Sequence, residues 1–325
     1  MTSTARLPVE GELPSLAGAT TWLNTEPLTP AGLRGRAVVV QFCTFSCVNW
    51  LRTLPYVQAW DRTYRDAGLV VVGAHSPEFP FEHDVAQVRA ALDVMGITYP
   101  IAIDNDFSVW RAFDNHYWPA LYFADTEGRV RHHHFGEEDY ERSERVIRHM
   151  LADAGATVGD DLADVVADGV SLAADWDTLG SPETYVGYAR ADGFVSPGGF
   201  RLRHGRVYDA PARLRRNEWA LGGAWTAEAQ VTSLDEPGGR IVHRSRARDV
   251  NLVLGTRGAP ARFIVRIDGE PPSEAHGLDV DEAGHGTVAE ARLYQLIRHP
   301  GAVTDRTFEI TFIDAGAQAY VFTFG

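Results

Sequence analysis

The sequence contains no lysine, and all 30 of its basic residues are arginine. This absence excludes a lysine Schiff base and the lysine of a phosphate-binding P-loop. The 44 acidic residues give a net charge of −14 at pH 7, and no basic stripe runs along the chain. We therefore expect no nucleic-acid partner, because nucleic-acid binding depends on clustered positive charge.

Long apolar runs are also absent. No stretch approaches the roughly 20 apolar residues that a membrane-spanning helix needs, and the first residues lack the apolar region of a signal peptide. Only two cysteines occur in 325 residues, too few to stabilise a secreted fold of this size through disulfides. These absences predict a cytoplasmic protein without a membrane partner, whose thiols stay reduced unless they are catalytic.

The first half of the chain alternates strand and helix patterns. Buried strands are predicted at residues 37–42, 69–74 and 99–103, and a hairpin at 119–124 and 130–135. Helices are predicted at residues 47–65, 81–95, 108–113 and 138–151, with Ser76 as a candidate cap of the second. This order predicts an α/β sheet with an antiparallel edge, forming a first domain over residues 1–155.

The second half has a different pattern. Residues 156–180 are rich in Asp, Ala and Gly and are predicted to connect two domains. From residue 181 to 325, short alternating runs recur between Gly, Pro and Asp residues, which is typical of an all-β sandwich or jelly roll. Five aromatic residues here form either its core or a face for a sugar or protein ligand: Tyr185, Tyr188, Tyr208, Trp219 and Trp225.

Both cysteines stand in one segment, Gln-Phe-Cys-Thr-Phe-Ser-Cys-Val-Asn-Trp at residues 41–50, between a predicted strand and helix. Pro55 lies inside that helix, and Trp118-Pro119 precedes the hairpin. This arrangement resembles the thioredoxin superfamily, in which a Cys-x-x-Cys motif opens a helix containing a proline. The resemblance implies a cis-proline at Pro119, with the backbone of Trp118 close to Cys47.

Within the thioredoxin superfamily, the sequence resembles one family in particular. The segments that resemble DipZ-type thioredoxin-like proteins occur in both halves, at residues 75–79, 99–106, 117–120, 134–140, 181–188, 217–225, 249–254 and 320–325. In that family a thioredoxin-like domain is followed by a β-sandwich similar to a carbohydrate-binding module. The resemblance covers nearly the whole chain and implies both domains.

Three residues depart from the family pattern at its active centre. Trp50 replaces the second, resolving cysteine, so the usual disulfide cannot form. Gln41 replaces a buried carboxylate that serves the second thiol, and Cys43 replaces an aromatic residue. These coordinated replacements indicate altered chemistry around one retained cysteine.

Cys47 is the predicted nucleophile, since a thiol at a helix N-terminus is stabilised as the thiolate. It would attack a disulfide, a peroxide or a thiol-containing small molecule and then be released by Cys43 or by an outside thiol. Five neighbours are predicted to contact the substrate: Phe45, Asn49, Trp50, Trp118 and Pro119. No cofactor is predicted, and whether the protein is an enzyme, as a thiol-disulfide oxidoreductase or a one-cysteine peroxidase, stays open.

Three alternatives remain at this stage. The fold can keep its peptide groove and act as a non-redox binding or scaffold protein. Cys47 can serve as a nucleophile on a small metabolite. Cys43 and Cys47 can instead hold a soft metal such as copper, with His75 or His116 as a third ligand. The run of histidines at residues 132–134 is interpreted as structural, because alternate side chains of a strand point to opposite faces.

Overall fold

A computed structural model describes residues 7–159 and 161–325. The chain divides into two compact units, Met1–Leu172 and Ala173–Gly325. The division falls inside the predicted connector. Each unit is built around its own sheet system.

Unit 1 is an α/β unit with a seven-stranded sheet. Its strands are β1 (Gly11–Glu12), β2 (Thr21–Leu23), β3 (Ala37–Cys43), β4 (Leu69–His75), β5 (Ile101–Ile103), β6 (Ala120–Ala124) and β7 (Arg129–Phe135). Its helices are α1 (Pro30–Leu33), α2 (Val48–Tyr64), α3 (Val85–Val94), α4 (Ser108–Ala112) and α5 (Tyr140–Asp153). Short 3-10 helices occupy Pro80–His83 and Gly169–Ser171.

The sheet order is β1-β7-β6-β3-β4-β5-β2. Strands β3, β4 and β5 run parallel, whereas β6 and β7 form the antiparallel hairpin beside β3. All seven residues of β3 are buried, which is typical of a central strand covered on both faces. Consequently the turn that carries Cys47 follows the carboxyl end of the central strand, the end at which open α/β sheets bind their ligands.

Helix α3 begins later than the apolar spacing predicts. A 3-10 helix over Pro80–His83 comes first, and Asp84 then caps α3 by accepting hydrogen bonds from the backbone of Ala86 and Gln87. The prediction that Ser76 caps this helix is therefore wrong. The short elements β1, β2 and α1 contain at most four residues each, too few to produce a detectable periodicity.

Unit 2 is an all-β unit. Its strands are β8 (Thr184–Tyr185), β9 (Arg206–Tyr208), β10 (Trp219–Ala227), β11 (Thr232–Leu234), β12 (Arg240–Ser245), β13 (Asp249–Thr256), β14 (Ala261–Ile267), β15 (His285–Val288), β16 (Arg292–Arg298), β17 (Arg306–Phe312) and β18 (Ala317–Phe324). A 3-10 helix spans Ser273–Ala275. Every strand pairing between these elements is antiparallel.

Strand β10 joins the two layers of the sandwich. Its first residues, through Gly222, pair with β12, and its later residues, from Gly223, pair with β9 and β11. Gly223 has a positive φ of 90°, and a Cβ there would lie 2.8 Å from the backbone of Gly239. Glycine therefore allows the strand to turn from one layer into the other, and the predicted β-sandwich is confirmed.

The sandwich encloses one large apolar core. Its fully buried members include Trp219, Trp225, Phe263 and Phe312, packed against aliphatic residues of both layers. Within the described ranges, no helix is both long and apolar enough to span a membrane.

Candidate functional site

The Cys47 thiol lies on the turn between β3 and α2. The backbone N–H of Cys47 donates to the carbonyl of Thr44 at 3.2 Å, and Cys47 is the N-cap residue of α2. The first turn of α2 has no acidic residue, so no carboxylate there offsets the positive end of the helix dipole. Cys47 is half-buried at the helix N-terminus, whereas most of its neighbours on the turn are buried.

Trp118 lies against this thiol, as the resemblance implied. The Trp118–Pro119 peptide bond is cis, and the Trp118 carbonyl oxygen lies 3.9 Å from Cys47 Sγ. The indole Nε1 of Trp118 donates to the carbonyl of Ser76 at 3.1 Å, and its ring lies 4.3 Å from that of Trp110. The half-buried Trp118 is thus held beside the sulfur by Ser76, the residue after β4, and by Trp110 of α4.

The second cysteine has a different environment. Cys43 is the last residue of β3 and is only 1% exposed. Burial, and to a smaller extent the nearby Glu82, raise the pKa of the Cys43 thiol far above its ordinary value. A thiol held protonated in the interior is a poor nucleophile. This environment does not favour the predicted catalytic role of Cys43.

Three of the five predicted substrate contacts, Phe45, Trp50 and Pro119, lie in the interior. Trp50 is fully buried, and its indole N–H has no hydrogen-bond partner among the described residues. Phe45 is 3% exposed and stacks on His75, with ring centroids 5.9 Å apart. Asn49 and Trp118 are half-buried and Pro119 is buried. Of the five predicted contacts, only Asn49 and Trp118 are therefore partly exposed, whereas Trp50 belongs to the interior.

Gln41 occupies the interior as expected. It is fully buried on β3, and the hydroxyl of Tyr99 donates to its Oε1 at 3.4 Å. Its amide nitrogen has no partner among the described residues. Since an amide does not titrate, Gln41 supplies no proton relay to the region beneath Cys47.

A buried carboxylate contacts the Cys47 turn, and the sequence did not predict this contact. Glu82, in the 3-10 helix before α3, is fully buried. Its Oε1 accepts from the backbone N–H of Ser46 at 3.2 Å and from the Ser46 hydroxyl at 2.7 Å. Its Oε2 accepts from the backbone N–H groups of Glu78 at 2.7 Å and Phe79 at 2.9 Å. Burial raises the pKa of Glu82, although these hydrogen bonds oppose the shift.

A second buried carboxylate supports the opposite wall of the site. Asp104 accepts hydrogen bonds from the Ser76 hydroxyl at 2.9 Å and from the backbone of Val109 and Trp110 at 2.8 Å each. Ser76 in turn donates its backbone N–H to the carbonyl of Cys43 at 3.1 Å. The strand end that carries Cys43 is thereby connected to the helix that supports Trp118.

The structure does not assemble the copper site considered from the sequence. His75 is fully buried, whereas His116 is exposed and lies beside Asp114. In the described part of the chain, no group of three or more His, Cys, Asp or Glu side chains is placed to hold a metal ion.

The histidine run has structural contacts. His133 is exposed and pairs with Glu10 at 2.7 Å. The Nε2 of His134 lies 2.9 Å from the carbonyl of Glu137, and the His132 ring packs on Phe123. The three rings therefore contact separate partners.

Most aromatic residues considered for a sugar-binding face lie in the sandwich core. Trp219 and Trp225 are fully buried, and Tyr208 is 2% exposed. Tyr185 is half-buried, with the guanidinium of Arg190 3.4 Å above its ring. Tyr188 is also half-buried and accepts a hydrogen bond from Arg203. The three most buried rings thus support the core interpretation rather than a ligand face.

Sequence comparisons agree with this architecture. A family profile described as a thioredoxin-like C-terminal domain matches residues 181–325. Protein DipZ of Mycobacterium bovis is 34% identical over 326 aligned residues, covering 99% of this chain and 44% of that protein. The chain therefore spans less than half the length of this relative.

Other relatives align with a smaller part of the chain. The thiol-disulfide oxidoreductase YkuV of Bacillus subtilis is 29% identical over 43% of this chain and 95% of its own length. NHL repeat-containing protein 2 of Bos taurus is 36% identical over 37% of this chain and 17% of its own. A solved thioredoxin-like protein in the oxidised form is 30% identical over 44% of this chain and 96% of its own, with a TM-score of 0.41.

Proposed function

The chain belongs to the DipZ-type thioredoxin-like proteins, and on this premise we propose that it performs thiol–disulfide exchange through Cys47 alone. One observation carries the proposal: the half-buried Cys47 caps α2 with its sulfur 3.9 Å from the Trp118 carbonyl. The 29% identity to a thiol-disulfide oxidoreductase supports the same class of chemistry.

In the first step, the Cys47 thiolate attacks one sulfur of a substrate disulfide. A bond forms between Cys47 Sγ and that sulfur, the substrate disulfide breaks, and the second substrate sulfur leaves as a thiolate that takes up a proton. The helix N-terminus stabilises the attacking thiolate. The Trp118 carbonyl, 3.9 Å from the sulfur, is where an extended substrate segment would pass Cys47.

In the second step, an outside thiol releases Cys47 from the mixed disulfide. Its thiolate attacks the substrate-side sulfur of the mixed disulfide, forms a new disulfide with the substrate, and returns Cys47 as a thiolate. We assign this step to an outside thiol because Cys43 is buried with a raised pKa and Trp50 occupies the position of a resolving cysteine. A protein or small-molecule thiol is the partner class that this step needs.

The experiment is to trap the mixed disulfide with oxidised glutathione as the probe. The full chain is incubated with the probe, quenched in acid and analysed by peptide mass spectrometry. We expect one glutathione adduct, on Cys47, and its loss after addition of an outside thiol. A Cys43–Cys47 disulfide as the main product would contradict the single-cysteine mechanism, as would rapid reduction of insulin without an added thiol.

A second candidate is a non-redox binding protein, and one observation favours it. Tyr117 and Phe135 are 52% and 40% exposed, with ring centroids 5.0 Å apart, directly beside the Trp118–Pro119 segment. Exposed neighbouring aromatic rings are typical of contact surfaces. Absence of a Cys47 adduct with oxidised glutathione, in a folded sample, would favour this function.

A further inference from the structure

We propose that Glu82 is a positioning residue for Cys47, acting through Ser46; the inference rests on the proposed exchange function. Glu82 binds Ser46, the residue that immediately precedes Cys47, through both its backbone N–H and its hydroxyl.

The geometry connects two loops through one carboxylate. The backbone N–H and the hydroxyl of Ser46 both donate to Oε1 of Glu82. The backbone N–H groups of Glu78 and Phe79 both donate to its Oε2. The β3–α2 turn is thereby tied to the segment that follows β4. Hydrogen bonds to a carboxylate are stronger than those between neutral groups, so this connection is a stiff one.

The position of Ser46 determines how Cys47 meets the helix. Cys47 has an extended backbone, with φ −78° and ψ 116°, while Val48 begins the helix. This change of conformation between adjacent residues holds Sγ over the helix N-terminus and against Trp118. If the Ser46 hydrogen bonds are lost, the turn gains freedom and the sulfur spends less time in this position.

The burial of Glu82 is costly, which argues for a specific role. A fully buried carboxylate loses its hydration and is retained only with strong compensating hydrogen bonds. The four donors named above are uncharged groups. The titratable groups that act on Glu82 or respond to its charge are Glu78, whose charge raises the Glu82 pKa, and Cys43, whose own pKa is raised.

The cleanest test removes one hydroxyl. Ser46→Ala keeps the carboxyl group of Glu82 and deletes only the Ser46 hydroxyl hydrogen bond. The readout is the pH midpoint of Cys47 alkylation by iodoacetamide in the full chain, resolved by peptide mass spectrometry. We expect the midpoint to rise by about half a pH unit, because the thiolate loses part of its helix-terminus stabilisation.

A double-variant cycle tests whether Glu82 acts through Ser46. Glu82→Gln replaces one of the two carboxylate oxygens by an amide nitrogen. If that nitrogen takes the place of Oε2, it cannot accept the hydrogen bonds from Glu78 and Phe79. If the two residues act as one unit, adding Ser46→Ala to Glu82→Gln changes the midpoint by less than Ser46→Ala does alone. Independent, additive shifts would overturn the inference. Ser46→Ala by itself keeps the test decisive if Glu82→Gln does not fold.

Glu144→Gln is the matched control. Glu144 is also a buried carboxylate of unit 1, 4% exposed, and it accepts hydrogen bonds from Trp60 at 2.9 Å and Tyr64 at 2.5 Å. Those partners lie in the later turns of α2, away from Cys47. We expect an unchanged Cys47 midpoint, so an equal shift in this control would attribute the effect to general destabilisation and overturn the inference.

The wild-type profile separates the two proposals. A wild-type midpoint at or above the ordinary thiol value of about 8.5 would reject the exchange function itself. A low wild-type midpoint that Ser46→Ala leaves unchanged would reject only the role of Glu82.

Discussion

Buried tryptophans of the two units differ in whether the indole N–H has a hydrogen-bond acceptor. In unit 2, the indole N–H of Trp219 donates to Asp192 and that of Trp225 donates to Gly222, at 2.8 and 2.9 Å. In unit 1, Trp50 is equally buried, but its indole N–H has no partner among the described residues. Both of these buried indoles in the sandwich thus have a hydrogen-bond acceptor, whereas the indole of Trp50 has none among the described residues.

Other buried polar atoms without a partner among the described residues occur in both units, and in unit 2 they belong to His243, Asn251 and Thr323. The amide nitrogen of Gln41 and both ring nitrogens of His75 form no hydrogen bond with another described residue. Buried polar groups without partners cost stability, and natural proteins accept that cost mainly at functional sites. Gln41 and His75 lie on β3 and β4, the strand that carries Cys43 and the strand paired with it, so unit 1 accepts part of this cost next to the candidate site.

The largest expected effect is on activity. Cys47→Ser removes the only accessible thiol described here, and we expect exchange with oxidised glutathione to fall at least about 100-fold, because a serine hydroxyl does not ionise at neutral pH. Stopped-flow or mass-spectrometric adduct kinetics measure the change. An exchange rate close to wild type would remove Cys47 from the mechanism.

The second prediction concerns pH and applies to both units. Burial lowers the pKa of His75 and of His243 to about 3. A lowered folded-state pKa means that the stability contribution is present above the unfolded value of about 6.5 and is lost as the pH falls toward 3. At pH 5 each histidine therefore costs about 2 kcal/mol of unfolding free energy relative to pH 7.

Matched variants assign this loss to each unit. His75→Phe should flatten the decline of stability between pH 7 and 5 for unit 1, and His243→Phe should do so for unit 2. Urea unfolding at the two pH values, followed separately for the two transitions, measures the slopes. Unchanged slopes in both variants would contradict the lowered pKa values.

The third prediction separates the two kinds of buried tryptophan. Trp50→Phe removes an N–H without a partner, whereas Trp225→Phe removes an N–H that donates to Gly222 and leaves that carbonyl with one contact fewer. Both lose similar ring volume, so we expect Trp50→Phe to cost about 1 kcal/mol less unfolding free energy. Equal costs by chemical denaturation would remove the contrast between the two interiors.

The smallest expected effect comes from the buried cysteine. Cys43→Ala should change the exchange rate less than about twofold, because a protonated interior thiol does not take part in the reaction. The comparison is with wild type under identical probe concentrations. A large loss of exchange, with folding intact, would show that Cys43 releases Cys47 from the mixed disulfide.

The sequence predicted both folds because their signals are strong and repeated. The buried runs that became β3 and β4 and the alternating runs of the sandwich each produce clear periodicity. The place of Cys47 at the start of α2 and the cis bond at Pro119 followed from the thioredoxin resemblance and are present in the structure.

The sequence could not reveal how side chains are distributed between surface and interior at the site. Trp50 was expected to contact substrate, yet it lies on the buried side of α2. The contact of Glu82 with the Cys47 turn was not predicted: its hydrogen bonds from Glu78 and Phe79 are local, but Ser46 lies 36 positions away in the chain and meets it only through tertiary folding. A long-range contact of this kind has no local pattern.

Site-resolved alkylation of the native full chain tests the central claim most directly. Iodoacetamide is applied across pH 5 to 10, and modification of Cys43 and Cys47 is followed by peptide mass spectrometry. We predict that Cys47 is modified with a midpoint below about 8.5, while Cys43 reacts only after unfolding. Modification of Cys43 at the rate of Cys47, or an inert Cys47 in the folded chain, would contradict the account.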